Sequence, residues 1–153
     1  MATPILYRVL YGTVTPELWQ KGSLRIRSAL LPEFCRYRIR YVDYPGIVPE
    51  PGKMVRGTYV EGLTQGDVWR LDIFEGAEYA RVKVKVRILD DQGVETDEEL
   101  ETETYVFIDG NDRLEGKEWD FQQFLKEKLS RWTSDSKEYI GMPWTPLPVC
   151  TFN

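Results

Sequence analysis

The spacing of apolar and polar residues changes period several times along this chain, and each change marks an element. From Tyr79 to Leu89 the period is two: Val82, Val84, Val86 and Ile88 alternate with Arg81, Lys83, Lys85 and Arg87. That alternation predicts a strand with one buried and one solvated face. Asp90-Asp91-Gln92-Gly93 turns the chain back, and the acidic stretch from Asp97 to Glu103 leads into a second strand, Thr104 to Ile108. The basic row could form a phosphate-binding stripe. The acids arrive at the right distance to face it across a hairpin, and opposite charges on paired strands are a common sheet pairing, so the hairpin is the favoured reading.

Elsewhere the pattern is shorter-ranged. The apolar run Leu6 to Tyr11, ended by Gly12, predicts a buried strand. Thr15-Pro16 predicts a helix start, with Gly22 as its end. Leu24 to Leu31 and Phe34 to Tyr41 predict two strands separated by Pro32; in the second, Tyr37, Ile39 and Tyr41 alternate with Arg36, Arg38 and Arg40. The proline-rich segment Tyr44 to Gly52 predicts a loop around a short extended piece, and Met54 to Val60 another strand. Thr64-Gln65-Gly66-Asp67 predicts a capping box with aspartate in the glutamate position, opening a helix that Gly76 stops. A last helix starts near Asp120, with Trp119 and Phe124 as a hydrophobic staple, and its apolar face runs through Leu125 and Leu129 to Trp132. The tail, Gly141 to Asn153, is expected to wrap the surface. The sum is an α+β chain: a small mixed β-barrel with two or three flanking helices, one domain over residues 1–153, irregular from about 141.

Composition narrows the chemistry. A chain of 153 residues buries roughly 70 % of its unfolded surface, enough for a real core. The net charge of −5 argues against a general nucleic-acid surface. Cys35 and Cys150 have no metal-ligand spacing and form no disulfide framework. No apolar run approaches the ~20 residues of a bilayer span. The expectation is a soluble cytosolic protein without a metal.

The chain contains no histidine. The usual Ser-His and Cys-His hydrolytic triads are therefore excluded, and proton transfer would fall to a carboxylate. Glu75 stands at the end of the predicted helix within Leu71-Asp72-Ile73-Phe74-Glu75-Gly76, followed by Glu78, Tyr79 and Arg81. Taken alone it reads first as a solvated glutamate at a helix end, and Asp72 and Glu78 compete for any acid–base role. Tyr11-Gly12-Thr13-Val14 could gather backbone N–H groups around an anion, or could be an ordinary turn. Cys35, between Phe34 and Arg36, reads as a small core residue rather than a nucleophile.

In order, the chain carries Tyr11-Gly12-Thr13, Tyr44-Pro45-Gly46-Ile47-Val48-Pro49, Val55-Arg56-Gly57, Leu71-Asp72-Ile73-Phe74-Glu75-Gly76 with Tyr79 and Arg81, and Trp119-Asp120-Phe121. This series resembles the gamma-glutamyl cyclotransferase-like family, in the branch that includes the plant avirulence-induced proteins. The resemblance covers about Leu10 to Trp132. It implies the mixed-barrel fold, a small-molecule γ-glutamyl substrate and no cofactor or metal, while charge and the lack of a long apolar run leave no expected nucleic-acid or membrane partner. It implies Glu75 as general acid/base and Tyr11, Gly12, Thr13 and Val14 as the substrate-binding turn. Val14 stands where the family usually has leucine, and Arg8-Val9-Leu10 departs from the family's phenylalanine-rich strand. The implied reaction is internal: the substrate's α-amino group attacks its own γ-carbonyl, giving 5-oxoproline and a free amine or amino acid, with proximity built into one molecule. The competing expectation is a non-catalytic module that holds a small ligand or a protein on the same scaffold.

Overall fold

Two long antiparallel hairpins carry the sheet of this computed structural model, which describes residues 1–133 and 151–152. In the first hairpin, β1 (Arg25–Ile39) pairs with β2 (Pro45–Glu61), from Arg25 opposite Glu61 to Arg38 opposite Pro45. In the second, β3 (Tyr79–Leu89) pairs with β4 (Glu95–Phe107), from Tyr79 opposite Phe107 to Leu89 opposite Glu95. The hairpins join where Ala29 meets Ile88 and Leu30 meets Arg87. A short β5 (Leu114–Glu118) adds to β1, and β6 (Thr151–Phe152) runs parallel to β2 beside Thr58 and Tyr59. The α+β class is the one the pattern predicts. The strand path, β4-β3-β1-β2-β6, is open rather than a closed ring among the described residues.

The predicted hairpin of opposite charges is present. Arg81 meets Glu103 at 2.5 Å, Lys85 meets Glu99 at 3.4 Å and Arg87 meets Glu95 at 3.0 Å. The basic row therefore faces acids rather than a phosphate. On the other face Val84, Val86 and Ile88 are buried, each contributing about 1.5–3 kcal/mol relative to exposure.

Three expectations are corrected. Leu6–Tyr11 is not a strand but most of a helix, α1 (Thr3–Tyr11), with Pro4 in its first turn. A short apolar run does not distinguish a strand from a buried helix. Here Ile5, Leu6 and Leu10 share the buried face, and Gly12 at φ 73° closes the helix by donating its N–H to Arg8 O at 2.9 Å. The two strands expected around Pro32 are one strand. The register shifts between Pro32 and Phe34, with Glu33 at φ 62°, so a bulge absorbs the proline. The expected loop from Tyr44 to Gly52 is the first half of β2, where Gly46, Ile47, Val48 and Pro49 pair with Tyr37 back to Phe34. Ile47 is fully buried there, and that burial outweighs the three prolines of the segment.

The helices start and stop largely where their capping residues predict. The short α2 (Leu18–Gly22) is capped at Glu17 rather than Thr15. In α3 (Gln65–Glu75) the Asp67 N–H donates to Thr64 Oγ1 at 3.2 Å, while the Thr64 N–H donates to Asp67 Oδ2 at 2.9 Å. Asp120 Oδ1 accepts the N–H groups of Gln122 and Gln123 at the start of α4 (Phe121–Glu127), and the Trp119 and Phe124 rings stack at 5.2 Å between centroids. The expected single last helix is broken at Lys128 into α4 and α5 (Leu129–Thr133). Apart from Thr151 and Phe152, the expected irregular tail lies outside the described residues. No helix among the described residues is long and apolar enough to cross a membrane.

Two cores result. One is aliphatic and lies within the sheet: Ala29, Leu31, Ile47, Val55, Val84, Val86 and Ile88, with Tyr59. The other lies between the helices and the sheet, where Ile5, Leu6, Leu10, Leu71 and Phe124 meet Ile39, Val60, Tyr44, Tyr79, Tyr105 and Phe107. The second core holds the candidate site.

Candidate active site

Glu75 is the last residue of α3. Residues four apart share a helix face, so Glu75 follows Leu71 into the core; Leu71 is 1 % exposed and Glu75 0 %. Gly76, at φ 69°, then turns the chain out of the helix and donates its N–H to Asp72 O at 3.1 Å. An amphipathic period and a glycine stop thus deliver one carboxyl into an apolar interior.

The two neighbouring acids are placed differently. Asp72 is half-exposed; it accepts the Tyr105 hydroxyl at 2.6 Å and lies 3.2 Å from Arg81 Nε. Glu78 accepts the Tyr44 hydroxyl at 3.0 Å and forms an ion pair with Arg113, which also pairs with Asp109. Each of these acids is thus engaged by an arginine and a phenol. The third phenol, Tyr79, donates to Pro45 O at 3.1 Å.

Burial raises the pKa of the Tyr79 phenol well above the ordinary phenol range, and the nearby Glu75 carboxyl raises it further. Burial does the same for Tyr105, followed by its hydrogen bond to Asp72 and then the charges of Asp72 and Glu75. Tyr44 is raised by burial and then by Glu78. All three hydroxyls are therefore protonated donors at neutral pH. Glu75 lies within electrostatic reach of two of them.

The turn expected to bind substrate sits at the end of α1, which packs beside α3. Tyr11 joins the core that contains Leu71 and Tyr79, and its hydroxyl donates to Gln20 O at 3.1 Å. The Gly12 N–H, expected as part of an anion cradle, is instead used to cap α1. The Thr15 N–H donates to Thr13 Oγ1 at 3.2 Å. Among the described residues no hydrogen bond uses the N–H of Thr13 or Val14. The structure therefore brings the elements bearing the turn and Glu75 together, and leaves two turn amides as donors rather than three.

A cavity of about 270 Å³ lies elsewhere, between the start of α1, the β1–β2 ribbon and the start of α4; neither Glu75 nor the Tyr11–Val14 turn lines it. Cys35 is buried, with its thiol pKa raised by that burial, which matches its expected role as a core residue.

Tyr44, Tyr105 and Arg113 escaped the sequence reading. Tyr105 was within its reach: the hairpin register sets it directly opposite Arg81, so the correct pairing of β3 with β4 places a phenol at the end of α3. Arg113 had no such signal, because a 3-10 turn, Asn111–Arg113, carries it back to Glu78 from 35 residues away.

Comparison with known proteins identifies the family. The family described as gamma-glutamyl cyclotransferase, AIG2-like, matches residues 9–121. AIG2-like protein D of Arabidopsis thaliana is 34 % identical over 119 residues, 76 % of this chain and 76 % of its own length. AIG2-like protein B of the same plant is 39 % identical over 101 residues, 66 % of this chain and 56 % of its own. The solution structure of another Arabidopsis thaliana protein superposes with a TM-score of 0.54 at 28 % identity, covering 71 % of this chain and 62 % of that one. The matched span holds the Tyr11–Val14 turn, both long hairpins and all of α3 up to Glu75 and Gly76, and with it the chain belongs to the AIG2-like gamma-glutamyl cyclotransferase family.

Proposed function

We propose that this chain is a cofactor-independent γ-glutamyl cyclotransferase, with Glu75 as its single acid–base group. The observation that carries the reading is the complete burial of Glu75 between two acids that are each engaged by an arginine. Removing a carboxyl from water favours its neutral form and moves its proton exchange toward neutral pH, where one group can both accept and return a proton.

In the proposed reaction Glu75 takes a proton from the substrate's α-ammonium group. The freed amine attacks the γ-carbonyl, forming the lactam C–N bond. The original γ C–N bond then breaks as the leaving nitrogen receives the proton from Glu75, and the new lactam nitrogen gives up its second extra proton to the released amine, which departs as an ammonium ion. The products are 5-oxoproline and an amine or amino acid; atoms and charge balance without water or a redox partner. The Thr13 and Val14 amides suit the substrate's α-carboxylate or the developing oxyanion. Tyr79 and Tyr105 keep their protons beside the carboxyl and do not compete as bases. Because Glu75 has no exposed surface, the substrate reaches it through an opening of the packing around α3.

The test is release of 5-oxoproline from a panel of γ-glutamyl amines and peptides. Activity lost in Glu75→Gln, with the fold retained, supports the reading; equal activity in both proteins removes Glu75 as the base. The sealed position of Glu75 also fits the second reading, a ligand-binding module without turnover. A saturable γ-glutamyl ligand that yields no 5-oxoproline from any compound of the panel would favour it.

A further inference from the structure

The cavity away from Glu75 has a chemistry of its own. Among the described residues its lining includes Arg36 and Arg56 and no aspartate or glutamate, in a chain whose net charge is −5. Both arginines are held in place. The Arg36 guanidinium lies over the Trp119 and Phe121 rings, 5.7 and 5.8 Å from their centroids, and donates to Arg56 O at 3.0 Å. The Trp119 ring is fixed in turn by its N–H, which donates to Asp43 O at 3.2 Å.

Arg56 reaches across to the β3–β4 turn and donates to Gly93 O at 2.7 Å. Gly93, at φ +77°, makes that approach possible, since a Cβ there would stand 2.8 Å from Arg56 Nη1. Arg56 forms no ion pair with a carboxylate among the described residues. Ser28 and Thr58 add hydroxyl groups to this wall, while Ile5, Phe121 and Phe124 supply apolar surface.

We propose that this cavity is a second ligand site, separate from Glu75, that takes a small amphipathic carboxylate. Its apolar body lies against Phe121, Phe124 and Ile5, and its carboxylate meets Arg56 and Arg36. A planar guanidinium is matched to a carboxylate through paired N–H donors. Stacking of Arg36 on two rings fixes the plane of its guanidinium at the wall, and Arg56 carries the recognition. The volume, about 270 Å³, is slightly below the range of drug-sized sites, which begins near ~300 Å³, and so selects a compact molecule with one ring or one branched chain.

The full chain is titrated with phenylacetate, with its neutral isostere phenylacetamide, and with inorganic phosphate, while the Trp119 indole and Arg56 side-chain N–H resonances are followed. The expected result is saturable binding of phenylacetate that moves both signals. Phenylacetamide and phosphate should bind at least about tenfold more weakly, and Arg56→Gln should weaken phenylacetate by a similar factor, the scale of one charge-assisted contact. Arg56 is exposed, so the variant is expected to fold, and an unchanged backbone spectrum verifies it.

Equal binding of acid and amide removes the charge recognition. Phosphate binding as tight as phenylacetate removes the apolar requirement. Unchanged affinity in Arg56→Gln, or no saturable shift up to millimolar ligand, overturns the site. The measurement involves no turnover, so it stands or falls independently of the cyclotransferase reading.

Discussion

The two cores of this molecule are built to different ends. The sheet core is almost purely aliphatic, and Tyr59, at 8 % exposure, is the one phenol among its described buried residues. The core between helices and sheet also buries leucine and isoleucine, but it buries Tyr44, Tyr79 and Tyr105 and borders a cluster of acids and arginines around a fully buried Glu75. Apolar packing is non-directional and tolerates exchange of similar volumes. A buried polar group must instead be held by specific neighbours, and leaving it unsatisfied is costly. The first core is apolar packing, whereas the second gives part of its interior to oriented polar groups.

The sharpest way to break that contrast is Glu75→Gln. It is expected to lower 5-oxoproline release by at least about 100-fold, the scale of a general acid–base contribution, while the melting temperature stays equal or rises. A lower melting temperature with activity intact would make Glu75 structural. Leu31→Ala in the sheet core should do the opposite: Leu31 is fully buried, so the change is expected to cost about 2–5 kcal/mol in denaturant unfolding. Its activity per folded molecule should be unchanged.

Alkaline unfolding separates the cores by pH. Tyr79 and Tyr105 are raised above the ordinary phenol pKa by burial, so they favour the folded state while protonated. Their contribution is complete below about pH 10, the unfolded value, and is lost as pH rises toward the higher folded value, because the unfolded chain releases the proton first. Stability should therefore fall above about pH 10. The double variant Tyr79→Phe with Tyr105→Phe should flatten that fall, whereas Tyr59→Phe should change it less. A decline that is equally steep in the double variant would refute the assignment.

Smaller effects test the frame that carries Glu75. Thr64→Ala removes the acceptor of the Asp67 N–H and should cost about 1 kcal/mol. Arg87→Gln, which breaks an exposed pair with Glu95, should cost under about 0.5 kcal/mol.

How far the sequence could be read depended on how local each determinant was. The β3–β4 hairpin was legible because period-two alternation and complementary charge lie within one short span. The Thr64 capping box and the Gly76 stop were legible for the same reason. The element before Gly12 was misread because six residues with five apolar positions suit either a strand or a buried helix, and only contact with the sheet and α3 decides between them. Pro32 and the prolines of Tyr44–Gly52 predict breaks by local rules, yet a bulge and burial of Ile47 carry both segments through as strand.

At the site, the absence of histidine points any proton transfer to a carboxylate, and the ordered series of motifs, through its resemblance to the family, singles out Glu75. Those are properties of residue type and order, which the chain holds whatever its fold. The tertiary structure alone decided that Glu75 is sealed while Asp72 and Glu78 each meet an arginine. It alone decided that Gly12 closes a helix, and that Arg36 and Arg56 line one cavity. Burial, field and pairing are set by atoms far apart in the sequence, and these exist as neighbours only after the two hairpins and the helices have packed.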